Sequence, residues 1–236
     1  GQPPTPPGDI CSKKMNRAGE VYRTNSEHYL WSMPRDTLSH MPHRPRRPCA
    51  VAGEFTLARG RVHEFCGAAR RTLALAVAGQ LSGPVLWITP GWQASALCGE
   101  GVSRWIDPGR LLVVRAGRAM EELWCMEEAL RAGAVPLVVA ELEASPGMVP
   151  VRRLHLAAGA PEGPPPLGLI LTPGTGGAPG IESRWQAEPD HGAGVTRWQL
   201  RRLRARMAPP ASWHLTQSAP RTDLALAPLP QPETTP

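Results

Sequence analysis

Gly67, Arg70, Arg71 and Thr72 are the residues whose types and spacing come nearest to a phosphate-binding turn. A glycine ending a strand lets backbone N–H groups face an anion. The first turn of the following helix adds its positive end, and an arginine adds charge. A complete phosphate loop reads G-x-x-x-x-G-K-[ST], because its free residues let the amides wrap the phosphates while the lysine reaches their outer oxygens. Here only Ala68 and Ala69 separate Gly67 from Arg70-Arg71-Thr72, the second glycine is missing, and the lysines, Lys13 and Lys14, lie far upstream. Such a turn can hold one anion but is too short to wrap a polyphosphate. The competing reading makes Arg70 and Arg71 solvated first-turn arginines.

A second group is basic. Arg197, Arg201, Arg202, Arg204 and Arg206 crowd one segment and could meet DNA phosphates, with affinity falling as salt rises. Charged edge strands also block edge-to-edge aggregation, and that explanation competes evenly. Among the acids, Glu121, Glu122, Glu127 and Glu128 fall outside the apolar stripe of a helix and read as a solvated face. Glu141 ends an apolar run where a nucleotide hydrolase places a magnesium-holding aspartate, but it is of the wrong type or on the wrong face. His63 and His155 read as packed or surface histidines. Cysteines 11, 49, 66, 98 and 125 form no CxxC and no metal spacing with the histidines, so free thiols are expected. No catalytic residue, metal or cofactor is assigned.

The elements that must position these residues follow from periodicity. Val62, Glu64 and Cys66 alternate with His63 and Phe65 as a strand that Gly67 ends, and Leu73, Val77 and Leu81 recur as a helix face. Val85–Ile88 and Pro136–Glu141 read as buried strands, and Leu111–Val114 and Leu167–Leu171 as further strands. Residues 118–132 form the clearest helix, with Gly133 at its C-cap, while 152–158 and the surroundings of 93–98 are also helical. Residues 182–188, 196–206 and 212–217 read as antiparallel strands, with a bulge or a partly helical stretch between Leu200 and Leu203. Strand and helix alternation predicts an α/β fold, a mostly parallel sheet flanked by helices with antiparallel C-terminal strands.

Composition bounds the rest. The 28 prolines and 24 glycines concentrate at the ends and in a few connections of the 236-residue chain. Residues 1–53 form a basic, proline-rich tail expected to be disordered, 54–217 the folded domain, and 218–236 a second disordered tail. Within the first tail, His43-Arg44-Pro45-Arg46-Arg47 is a basic cluster and Tyr29-Leu30-Trp31 an apolar docking candidate. The net charge is +6, but residues 1–50 hold eight basic and four acidic side chains, so the middle is only mildly basic. No run of about 18 apolar residues exists to span a bilayer, and a cytoplasmic protein is expected.

A family resemblance emerges from residues taken in order. GRVHEFCG before a helix, LWCMEEALRAGAVPLVVAELE, VRRLHLAAGA, and the closing ESRW, TRWQLRRLRAR and SWHLTQ resemble the bacterial ImuA-type proteins, RecA-like accessory factors of SOS-induced translesion synthesis. The similarity spans about Phe55 to Gln217. It implies a RecA-like core acting beside an ImuB-type inactive polymerase homologue and an alternative replicative polymerase, with contact to RecA itself and possible contact to DNA. RecA places its phosphate loop at the position of Gly67–Thr72, and its catalytic glutamate where this chain has Thr89-Pro90-Gly91. Both departures imply a scaffold without ATP hydrolysis.

Overall fold

The computed structural model describes residues 47–92, 97–192 and 194–229, together with two short strands nearer the start. The chain divides into two compact units, Gly1–Pro45 and Arg46–Pro236. In the first, β1 (Lys14–Met15) pairs antiparallel with β2 (Val21–Tyr22). The Tyr29–Trp31 element and all but Arg47 of the basic cluster lie outside the described residues.

The second unit begins with a hairpin, β3 (Cys49–Ala52) and β4 (Phe55–Leu57). There follow β5 (Val62–Cys66), α1 (Arg70–Gly79), β6 (Val85–Pro90), α2 (Gly99–Ser103), β7 (Leu111–Ala116), α3 (Ala119–Ala132), β8 (Leu137–Glu141), α4 (Met148–Gly159) and β9 (Leu167–Leu171). The chain closes with β10 (Ser183–Pro189), β11 (Thr196–Ala205), β12 (Ala211–Gln217) and β13 (Leu224–Pro228). Nine strands make one sheet in the order β13-β12-β11-β10-β5-β9-β8-β6-β7. The pairs from β10 to β7 are parallel and those from β10 to β13 antiparallel.

Two apolar layers explain this arrangement. On one face α1, α2 and the β3–β4 hairpin cover Phe65, Trp87, Val139 and Leu169. On the other, α3 and α4 cover Val62, Ile88, Val138 and Ile170. Strands β5, β8 and β9 are covered on both faces and buried at every position, as parallel strands beneath helices must be. Alternation in β5 therefore does not mark a wet face. Its His63 lies between the Ser183 hydroxyl and the Ala58 carbonyl, at 2.6 and 3.0 Å. Burial lowers the His63 pKa to about 4 despite the Ala58 hydrogen bond, so the ring is a packed, neutral histidine.

Local sequence sets the element ends. Gly133 caps α3 with φ +62°, a left-handed conformation that a glycine adopts without strain. Helix α4 starts earlier than residue 152 because Pro150 falls in its first turn, where a missing N–H costs nothing. Helix α2 starts at Gly99; of the helical stretch expected around 93–98, residues 93–96 lie outside the description and Leu97 and Cys98 are irregular. In β11 the bulge falls where expected: Trp185 faces Arg202 and Arg184 faces Arg204, which leaves Leu203 as the extra residue. Strand β3 precedes residue 54, and β13, paired to β12, follows residue 217.

Candidate phosphate-loop site

The loop after β5 stands at the carboxyl end of a central strand, where open α/β sheets bind their ligands. Gly67 takes φ +86°, and a Cβ there would come within 2.4 Å of the Ala187 carbonyl oxygen. Only glycine fits under strand β10. Three amides of the turn are already engaged by the protein. Gly67 N–H donates to Gly174 O at 3.0 Å and Ala69 N–H to Ala187 O at 3.0 Å. Ala68 N–H donates to the Glu188 carboxylate at 3.1 Å. A side-chain anion from β10 thus stands before α1, and the helix dipole favours it there.

The cationic side chains are committed as well. Arg70 turns back and donates to Gly67 O at 3.1 Å. Arg71 donates from Nε and Nη2 to one oxygen of Glu141, at 2.9 and 2.7 Å, while the other oxygen accepts Trp87 Nε1–H at 2.7 Å. In the sheet β9 separates β5 from β8, a gap of roughly 10 Å that a long guanidinium side chain bridges. Glu141 therefore lies on the α1 face with Leu137 and Val139, which excludes the wrong-face alternative; its carboxylate serves the arginine and the indole. Arg71 and Thr72 also border a cleft of about 820 Å³ shared with Leu75, Val102, Trp105 and Trp198.

Behind the loop sits a knot that the sequence does not announce. Glu64, fully buried in β5, accepts from Arg184 Nε at 2.5 Å, Thr172 Oγ1 at 2.8 Å, Gly177 N–H at 2.9 Å and Ser145 Oγ at 3.1 Å. Burial works to raise its pKa, but the bonds from Arg184, Thr172 and Gly177 outweigh it and hold the carboxyl below its ordinary value. The knot fixes the segment that presents Gly174 O to Gly67. Cys66 beside it is no nucleophile, since burial, aided by Glu64, pushes its thiol up to about 12.

Elsewhere the charged groups divide. Two acids expected on the solvated face of α3 are buried, Glu122 at 2% and Glu127 at 7% exposure. Glu127 escapes an unpaired charge through Arg153 and Arg131. The five arginines of β11 and its end do not form one basic edge. Arg202 is buried, donates to Pro209 O at 2.8 Å and lies over the Trp213 and Trp185 rings at 4.9 and 5.6 Å. Its guanidinium is thus engaged within the protein, beneath the surface of β11. Arg197 pairs with Asp190 at 2.9 Å, Arg201 donates to Gln199, and the exposed Arg204 and Arg206 line a separate cleft against α4.

Among the described residues no cluster of three or more His, Cys, Asp and Glu could hold a metal, four cysteines are free of disulfides, and no helix is long and apolar enough to cross a membrane. No family model matches the chain, and no curated protein matches it.

Proposed function

We propose that the chain is a non-catalytic, RecA-like accessory protein of DNA-damage tolerance, an ImuA-type factor acting by protein contact in SOS-induced translesion synthesis. The observation that carries the non-catalytic part is the closed loop. Glu188 occupies the amide of Ala68, and Glu141 holds the guanidinium of Arg71. Phosphoryl transfer needs free amides and a free cation to hold the developing charge, and here the Ala68 amide and the Arg71 guanidinium are engaged by carboxylates of the protein. The parallel sheet with its first α/β strand near the centre and helices on both faces is compatible with a RecA-like core. The segments resembling the ImuA-type proteins supply the rest of the reading.

The test has two arms. Sedimentation of the purified chain with RecA, free and filamented on single-stranded DNA, and with an ImuB-type protein should show saturable binding to one of them; absence of binding to all would overturn the accessory role. Thermal melting with and without ATP and magnesium should show no shift. A saturable stabilisation lost in Arg71→Ala would instead make the chain a divergent nucleotide-binding protein.

A further inference from the structure

A cleft of about 580 Å³ lies against α4, between that helix and the ends of β5, β10 and β11. Four arginines line it, Arg61, Arg152, Arg204 and Arg206, against one acid, Glu182, which is 3.7 Å from Arg61. Among the described residues no carboxylate stands within ion-pair distance of Arg152, Arg204 or Arg206. His155 adds no charge. Its Nδ1 accepts Val62 N–H at 3.2 Å, which leaves Nε2–H to donate to Gly180 O at 3.2 Å. Burial holds its pKa below the usual value, although the Gly180 bond opposes this, and Arg61 and Arg206 push the same way as burial.

The floor of the cleft is apolar. Val151 and Ile181 are buried in it, and Met148 and Leu156 flank it at 61% and 68% exposure. We infer that this cleft binds an acidic peptide segment of a partner protein, its carboxylates meeting Arg152, Arg204 and Arg206 and one apolar side chain resting against Met148 and Leu156. Charge complementarity selects an acidic ligand, and the flanking methionine and leucine select one with an apolar anchor. Single-stranded nucleic acid fits less well, because among the described residues no Phe, Tyr or Trp lines the cleft for bases to stack on and the His155 ring is held at both nitrogens. The inference needs only the cleft and does not rest on the family reading.

Fluorescence anisotropy of the full chain with a short labelled peptide, aspartate pairs alternating with leucine, tests it. Saturable binding is expected, weakened about tenfold in the Arg204→Ala/Arg206→Ala variant and also reduced in Leu156→Ser. All three residues are exposed or half-exposed at the surface, and an unchanged melting curve would show the variants folded. Equal binding by a peptide with serine in place of leucine would overturn the proposal, leaving general charge attraction. Equal binding by wild type and variants would also overturn it, placing the contact elsewhere. A single-stranded oligonucleotide of equal charge that bound more tightly and lost affinity in the same variants would overturn it in favour of a nucleic-acid surface.

Discussion

The Ala68 amide donates to the Glu188 carboxylate at 3.1 Å across 120 residues of chain, so the mouth of α1 carries its own anion. Glu188→Ala removes that acceptor and exposes the amide to solution ions. The variant is expected to lose about 1 kcal/mol in urea denaturation. Added sulfate should then raise its melting temperature more than it raises that of the wild type, because sulfate can stand where the carboxylate stood. An identical sulfate response in both proteins would show that Glu188 does not guard the loop.

The Arg71–Glu141 pair makes a prediction of different form. Glu141 is 5% exposed, so Arg71→Ala leaves a nearly buried carboxylate whose remaining side-chain donor among the described residues is the Trp87 indole. A loss of about 2 kcal/mol is expected, less than for a wholly buried pair because Arg71 retains some contact with solvent. Glu141→Gln in the same background should recover part of it, since a neutral amide needs no counter-charge. Additive losses in this double-mutant cycle would deny the coupling.

How far the sequence reveals this arrangement depends on the range of the interaction. Helix α3 with its Gly133 cap and strand β9 to the residue are written in local periodicity and turn chemistry, while the slipped alternation between Leu200 and Leu203 leaves a bulge and a helical stretch open until the register decides for the bulge. The glycine-poor loop was legible too, since it needs only neighbours along the chain. Its closure was not: Glu188 and Glu141 reach it from strands 120 and 70 residues away, and neither spacing leaves a periodic trace. Strand β13 hides for another reason. Its leucines sit among prolines that mark a loop, yet the strand is at the sheet edge and its proline at the strand end, where a missing donor is tolerated.

Two buried glutamates give stability opposite dependences on pH. Glu122 has an Oε1 without a hydrogen-bond partner among the described residues, and burial first and Glu143 second raise its pKa from 4.5 to about 7. A raised folded value means stability fully present below about pH 4.5 and lost as the pH climbs through about 7. Glu64 has the depressed value, so its contribution is present above 4.5 and lost as the pH falls through its lower folded value. Urea midpoints against pH should show Glu122→Gln removing the decline toward pH 7 and Glu64→Gln destabilising chiefly at neutral pH. If the Glu122→Gln curve kept the wild-type decline, some other group would be its source.

Arg202 separates a structural arginine from a DNA-binding one. Its guanidinium lies over Trp213 and Trp185 and donates to Pro209 O, so it joins β10, β11 and β12 beneath the β11 surface. Arg202→Ala should cost about 2 kcal/mol and shift the tryptophan emission, because it removes both the cation over the rings and the donor to a backbone carbonyl. Arg202→Lys should rescue little, since an ammonium neither stacks as a plane nor keeps the Nε position. Any affinity for single-stranded DNA measured in conditions where the variant stays folded should not move with it. A fall in that affinity and a smaller salt slope would instead return Arg202 to the phosphate-contacting set.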